Sequence, residues 1–144
     1  MYEYACEVKR VVDGDTIDVV LDLGFDILYK SRVRLYGIDT PESRTRNLDE
    51  KARGKMAGAF LKDAIEKGEK VVIQTKLKDS RGKFGRVLGD VIVDGVNINK
   101  ALVENNYAVA YHGQSKDDVE AEHLINREKL IERGLFNPEE IKWK

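Results

Sequence analysis

The sequence predicts an α+β fold that is mainly β: a five-stranded Greek-key barrel with three helices. Three strand-like segments, one helical segment, two more strand-like segments and two helical segments follow one another, which is the order such a barrel has when a helix is inserted. A length of 144 residues suits one core. The composition, with 42% hydrophobic and 35% charged residues, excludes collagen-like and disordered chains. We therefore expect a single domain over residues 1–144, with a core at about 5–135.

The opening of the chain has the pattern of a three-stranded meander. Residues 5–12 end at the turn sequence Asp13-Gly14-Asp15, and β-branched residues follow over 16–21. A second Gly-containing turn precedes residues 27–38, where polar and apolar residues alternate. Pro41 ends this third strand, because proline has no N–H to donate to a neighbouring strand.

The remaining elements have similarly local signals. Residues 49–66 carry apolar side chains at helical spacing and end near Gly68. Residues 70–77 and 87–93 read as strands joined by a charged turn over 78–86. The sequence predicts two further helices, one capped by Asn97 and running through Asn106, and one over 117–132 that ends at Gly134.

Charge and residue counts exclude several classes of protein. The net charge is -1, yet residues 30–86 carry 16 basic and 8 acidic groups, so the chain can present a local positive cleft although it is nearly neutral as a whole. A solvated surface of mixed charge is the alternative interpretation. Cys6 is the one cysteine and there are only two histidines, so no internal disulfide and no zinc ligand set can form. Any bound metal is expected to have oxygen ligands.

The chain as given has no pattern of a membrane protein or an exported one. No apolar run approaches the roughly 20 residues that a bilayer crossing requires. Glu3 and Glu7 interrupt any export signal at the start. We therefore expect a cytoplasmic protein without a membrane partner.

Two acidic segments, Asp13-Gly14-Asp15-Thr16 and Asp39-Thr40-Pro41-Glu42, lie at the ends of predicted strands. Each segment alone is compatible with a tight turn or a strand end. In a meander, both can lie at the same mouth of the barrel and share a hard divalent cation, which prefers carboxylate and carbonyl oxygens.

Two arginines accompany these segments. Arg34 precedes Asp39 on the same strand, and Arg86 follows the central turn. Guanidinium groups bind two phosphate oxygens at once and stabilise the negative charge that develops during attack on phosphorus. Glu42, if it is free of the metal, can orient or deprotonate the attacking water. Together these groups are the components of a metal-dependent phosphodiesterase.

The segments Val12 to Thr16, Arg34 to Glu42 and Lys83 to Arg86 resemble three signature segments of the staphylococcal nuclease (thermonuclease) family. Their order and approximate spacing match over roughly residues 5–135. Residues 97–103 and 108–111 resemble the segments that follow in that family. The resemblance implies an OB-fold barrel with three helices.

The resemblance also implies an activity and a site. The activity would be calcium-dependent cleavage of DNA and RNA that leaves 3′-phosphate and 5′-hydroxyl ends. A single-stranded substrate would be preferred, because a base must leave its stack to lie on an aromatic ring, and the protein is expected to act as a monomer. The implied roles are metal binding by Asp15, Asp39 and Thr40, catalysis by Arg34, Glu42 and Arg86, and nucleotide binding by Lys83, Phe84 and Tyr111.

A second hypothesis remains open, in which the same barrel binds nucleic acid or protein without cleaving it. A silent relative is expected to have lost acidic or arginine groups, whereas this chain keeps all five of them: Asp15, Arg34, Asp39, Glu42 and Arg86. His123, among apolar helix positions, is expected to be a packed or half-exposed residue rather than a ligand. His112 has no partner in the sequence that would make it a catalyst.

Overall fold

The computed structural model of the chain describes residues 2–75 and 87–141. Within the described residues the main sheet has six strands, five of them long: Glu3–Asp13 (β1), Thr16–Asp22 (β2), Leu28–Leu35 (β3), Val71–Thr75 (β5) and Val87–Val93 (β6). Three short strands accompany them: Ile38–Asp39 (β4), Val96–Asn97 (β7) and Val109–Ala110 (β8). The helices are Leu48–Lys67 (α1), Ile98–Glu104 (α2) and Lys116–Glu132 (α3), and a 3-10 turn follows at Pro138–Glu140.

The five long strands close into a barrel. Neighbours pair antiparallel in the order β3, β2, β1, β5 and β6. The first and last strands of this order then pair in parallel, with Val33 opposite Val87 and Leu35 opposite Gly89. The predicted α+β barrel with three helices is thereby confirmed, as is the meander at its start.

Strand alternation and one helix face build the core of the barrel. On β2, Ile17, Val19 and Leu21 point inward, and each is at most 3% exposed. From α1, Ala57 and Leu61 are fully buried against the same cluster. Burial of these side chains, worth about 1.5–3 kcal/mol for each large one, is what fixes α1 across the barrel.

The third predicted strand is divided in the structure. The alternating pattern predicted one strand through Ile38, but β3 ends at Leu35 and a turn contains Gly37 at φ 76°. A positive φ is readily available only to glycine, and it turns the chain out of the barrel sheet. The next two residues form β4, which pairs with β8 rather than with the barrel.

The predicted helices agree with the structure to within a few residues. Asn97 caps α2 as expected, since its side chain accepts a hydrogen bond from the backbone of Lys100. Asn47 and Ser115 cap α1 and α3 in the same way. The predicted charged turn over 78–86 and the end of the strand predicted over 70–77 lie outside the described residues. None of the described helices has the length and apolar character needed to cross a membrane.

Candidate active site

Helix α1 brings the first acidic turn against the second. Gly14, between Asp13 and Asp15, is buried, and a Cβ placed on it would lie 2.6 Å from the Cβ of Ala57 and 3.0 Å from Thr40 Cγ2. Only a glycine permits this approach of the turn to the helix. The lack of a side chain at this position therefore allows the two acidic segments to lie close together.

Asp15 is hydrogen-bonded to the second acidic segment. Its Oδ2 accepts a hydrogen bond of 3.3 Å from the backbone N–H of Thr40, and its Oδ1 accepts one of 3.0 Å from the Thr16 hydroxyl. The Asp15 side chain is 14% exposed. Both oxygens are thus oriented by the protein, one of them by the backbone next to Asp39.

Arg34 joins the two carboxylates. Its Nη1 lies 3.3 Å from Asp15 Oδ2, and its Nη2 lies 3.6 Å from Asp39 Oδ1. The same Nη1 donates to the backbone carbonyls of Leu35 and Ile38, each at 3.1 Å. These contacts hold the guanidinium group at the mouth of the barrel, where the sequence placed it beside both acidic segments.

A pocket of about 400 Å³ opens beside these residues. Asp39, Thr40, Glu42 and Tyr111 are among its lining residues, and the backbone N–H of Tyr111 donates a 2.7 Å hydrogen bond to the carbonyl of Gly37. The remaining lining residues include Lys116, the first residue of α3, and Gln114, which lies two residues before that helix. A pocket with carboxylates, a guanidinium group and a half-exposed aromatic ring has the chemistry to hold a nucleotide phosphate and its base.

Glu42 lines the pocket, and its carboxyl group has a raised pKa. Partial burial raises the pKa of its carboxyl group, and repulsion from the carboxylates of Asp15 and Asp39 raises the pKa further. Its backbone N–H donates a 3.0 Å hydrogen bond to Glu50 Oε2, which fixes the main chain at this point. A carboxylate with a raised pKa is a better proton acceptor than an ordinary one.

His123 is a member of this site that the sequence did not reveal. It was expected to pack in α3 without a ligand role, and it is indeed only 6% exposed. Its Nε2, however, lies 2.7 Å from Asp39 Oδ2. The sequence held only a partial signal: Lys116, Glu120 and His123 share one face of a helix at spacings of four and three residues, and all three line the pocket. That spacing does not indicate what the face packs against.

A comparison of the sequence with protein-family models assigns the chain to a family. The model of the family described as "Staphylococcal nuclease homologue" matches residues 32–133, which is most of the chain. The chain belongs to this family. The resemblance seen in the sequence motifs is thereby confirmed.

Curated relatives agree with the family assignment. The chain is 36% identical over 105 residues to the SPbeta prophage-derived endonuclease YokF of Bacillus subtilis, a match of 72% of this chain and 33% of that protein. It is 36% identical over 103 residues to the thermonuclease of Staphylococcus intermedius, covering 72% of this chain and 57% of that one. Protein ParB of Escherichia coli is 36% identical over 122 residues, covering 77% and 60%. The matched region thus spans between about a third and three fifths of these relatives.

The oxygen ligands expected for a metal of this family fit a hard divalent cation. In the predicted ligand set, Asp15 and Asp39 would supply carboxylates and Thr40 a backbone carbonyl, which are donor types that calcium binds. Within residues 2–75 and 87–141, no group of three or more His, Cys, Asp or Glu side chains is arranged as a metal cluster. Such a ligand set would leave coordination positions for water or a substrate phosphate, since calcium takes about six to eight oxygens.

Three predicted site residues cannot be compared with the structure. Lys83, Phe84 and Arg86 lie outside the described residues. Of the other six, five line one pocket, namely Arg34, Asp39, Thr40, Glu42 and Tyr111. The sixth, Asp15, contacts this pocket through its ion pair with Arg34. The roles given to all nine stay predictions.

Proposed function

We propose that this chain is a metal-dependent nuclease that hydrolyses phosphodiester bonds of DNA and RNA. The observation that carries the proposal is the position of Arg34, whose guanidinium group bridges Asp15 and Asp39 beside a pocket that Glu42 also lines. Membership in the family of staphylococcal nuclease homologues supports it, as does the endonuclease name of one relative.

Asp15, Asp39 and the carbonyl of Thr40 would hold the cation, for which we propose Ca²⁺. When bound, the cation supplies positive charge to the substrate phosphate and to the charge that develops in the transition state. Asp15 is suited to this role because hydrogen bonds from Thr16 and Thr40 already orient its oxygens. Preoriented ligands need little rearrangement when the ion binds.

Arg34 would bind the phosphate and stabilise the equatorial oxygens as water attacks. Its Nη1 is held by two backbone carbonyls, which reduces the entropy lost when the guanidinium group engages the substrate. Arg86 is proposed as the second guanidinium group. Glu42 would orient the attacking water and accept its proton, a role for which its raised pKa is suited.

Tyr111, which lines the pocket and is 47% exposed, would stack on a base together with Phe84, and Lys83 would lie near the phosphates. Stacking requires a base that has left its duplex partner, so we propose a preference for single-stranded substrate. Attack of water opposite the 5′ oxygen breaks the P–O5′ bond, which leaves a 3′-phosphate and a 5′-hydroxyl. These ends would be the products.

The test is cleavage of end-labelled single-stranded DNA and RNA, and of the matched duplexes, with Ca²⁺ and then with excess chelator. Single strands should be cut faster than duplexes, and chelation should stop the reaction. Product ends can be identified because a 3′-phosphate blocks extension by a polymerase until a phosphatase removes it. If no strand is cut in Ca²⁺ at any pH from neutral to alkaline, the hydrolytic function is wrong and a binding module is left.

A pair of neighbouring arginines provides the matched variants. Arg34→Gln removes the bridging guanidinium group and should lower turnover by about 10² to 10³-fold, the usual effect of losing one transition-state donor. Arg32→Gln, two residues earlier on β3, removes a guanidinium group that pairs with Asp18 on the surface at 2.8 Å. The Arg32→Gln variant should cleave single-stranded DNA at nearly the wild-type rate. Equal activity of the two variants would contradict the role given to Arg34.

A further inference from the structure

Helix α3 contributes one buried polar side chain to the pocket. His123 is 6% exposed and lines the same pocket as Arg34, Thr40 and Glu42. Its Nε2 is 2.7 Å from Asp39 Oδ2, a normal length for a charge-assisted hydrogen bond. Since a carboxylate oxygen can only accept, the ring donates from Nε2. The two residues are 84 positions apart in the chain.

The two oxygens of Asp39 have different neighbours. Oδ2 receives the hydrogen bond from His123, whereas Oδ1 faces Nη2 of Arg34 at 3.6 Å. A carboxylate with one oxygen occupied by a buried donor cannot rotate freely about its terminal bond. The oxygen left toward Arg34 is therefore presented to the pocket in one orientation.

The helix that carries His123 is itself fixed near the site. Arg127 Nε lies 3.0 Å from Asp49 Oδ2 of α1, and the side-chain amide of Asn126 donates a 3.0 Å hydrogen bond to the carbonyl of Ala108. The backbone of Asp39 is also held in place, because β4 pairs antiparallel with β8 and Asp39 lies opposite Val109. Imidazole and carboxylate thus approach each other from two supports that are each anchored.

We propose that His123 is a positioning residue, which holds the Asp39 carboxylate in the orientation that binds a divalent cation. The proposal rests on the proposed function, since it assigns the cation to Asp39. Partners of ligating groups orient those groups, and their loss typically lowers metal affinity by about 10 to 100-fold. His123 would act on binding of the ion through Asp39, without touching the substrate.

A role in packing alone fits the surroundings of the ring poorly. Nδ1 is buried and has no hydrogen-bond partner among the described residues. An unsatisfied buried polar atom is unfavourable, whereas an apolar side chain of similar size in its place has no such penalty. A packing role predicts that replacing His123 with leucine lowers Tm and leaves the Kd for Ca²⁺ unchanged. The positioning role predicts a higher Kd with no loss of Tm.

The experiment measures Ca²⁺ binding and thermal stability together. His123→Leu removes the donor, His123→Gln keeps an N–H donor that can reach Asp39, and Leu130→Val changes another buried residue of α3 as the matched control. Ca²⁺ binding is measured by calorimetry and by the loss of Tb³⁺ luminescence as Ca²⁺ displaces bound Tb³⁺. We expect His123→Leu to raise the Kd for Ca²⁺ about 10-fold or more with no loss of Tm, and His123→Gln to remain near the wild-type Kd. Leu130→Val should lower Tm and leave the Kd unchanged.

A measurement on the unmodified protein keeps the test valid if His123→Leu does not fold. The chain has two histidines. The His123 ring reports on Asp39, and the exposed His112 ring serves as an internal control. Addition of Ca²⁺ should shift the imidazole ¹⁵N resonances of His123 and leave those of His112 in place.

The outcomes separate the two proposals. If the wild-type protein binds Ca²⁺ and His123→Leu binds it equally well, the positioning role is wrong and the proposed function stands. Equal loss in His123→Leu and His123→Gln also overturns the positioning role, because the hydrogen bond would then not be the cause. If the wild-type protein cuts DNA but binds no divalent ion, both the cation assignment and the role of His123 are wrong.

Discussion

Gly54 of α1 lies directly against Pro41 of the second acidic segment. A Cβ on Gly54 would stand 2.6 Å from the carbonyl oxygen of Pro41 and 2.8 Å from the carbonyl carbon of Glu42. Both contacts are with backbone, which cannot rotate away as the end of a long side chain can. The helix therefore sets the position of the main chain between Thr40 and Glu42.

We expect Gly54→Ala to displace this segment. The free energy of unfolding should fall by about 1–3 kcal/mol, the usual range for overpacking, as measured by urea denaturation. Turnover on single-stranded DNA should fall by about 10 to 100-fold, because small displacements of positioned groups are costly in a reaction that depends on alignment.

Gly58, one turn further along α1, is the matched control. A Cβ there would meet only the backbone nitrogen of Gly14 at 3.9 Å, which is an ordinary contact. Gly58→Ala should stabilise the protein by up to about 1 kcal/mol, since alanine is the better helix former, and leave turnover unchanged. A Gly54→Ala variant as stable and as active as Gly58→Ala would show that the close approach does not constrain the site.

The barrel could be predicted from the sequence because its signals are local. Alternation over 16–21 predicted a strand that the structure has at Thr16–Asp22, and the two turns around it contain glycine. The break at Gly37 was missed because polar and apolar residues alternate through it, and the pattern carries no information on the backbone angle. That angle is set by where the chain must go, toward the pairing of β4 with β8.

Glu42→Gln should alter the pH dependence of stability in the absence of divalent ions. Partial burial and the nearby carboxylates of Asp15 and Asp39 raise the pKa of Glu42 in the folded protein. A raised folded pKa means that stability is greatest below the ordinary pKa of glutamate and is lost as pH rises through the folded value. The neutral amide removes this loss.

The measurement is thermal unfolding of both proteins in chelator at pH 7 and at about pH 3.5, below the ordinary glutamate pKa of about 4.3. The variant should melt at a higher temperature than the wild type at pH 7, and the difference should shrink at the lower pH. A difference of the same size and sign at both pH values would mean that the charge on Glu42 is not responsible.

The site could be predicted only where it depends on motifs. Asp15, Arg34 and Asp39 were identified from short segments with acidic and basic residues at strand ends, and the structure brings them together. His123 was missed because its contact with Asp39 joins residues 84 positions apart. No local pattern specifies how α3 docks on the barrel. Docking depends on pairs such as Arg127 with Asp49, which form only in the folded chain.

Cys6 should be a slow nucleophile in the folded protein. Partial burial raises the pKa of its thiol from 9.0 to about 11, and only the thiolate reacts with alkylating reagents. At pH 8 the thiolate fraction should therefore be about 100-fold lower than in the unfolded chain. Alkylation by iodoacetamide, followed by mass spectrometry with and without urea, measures this ratio. Because Cys6 is the one cysteine, all labelling reports on it, and similar rates in the two conditions would contradict the burial of the thiol.

Asp49→Asn should destabilise the contact between α1 and α3. Asp49 Oδ1 lies 2.8 Å from Nε of Arg53, whose side chain is 5% exposed, and Asp49 Oδ2 lies 3.0 Å from Nε of Arg127. Removing one partner of a buried pair leaves a charge in a poorly solvated place, at a cost of about 3 kcal/mol or more.

Asp63→Asn is the matched control. It breaks a pair of similar length with Lys67 on the exposed face of the same helix, and should cost less than about 1 kcal/mol. Urea denaturation of both variants gives the comparison; equal effects would mean that burial of Arg53 does not make its carboxylate partner necessary.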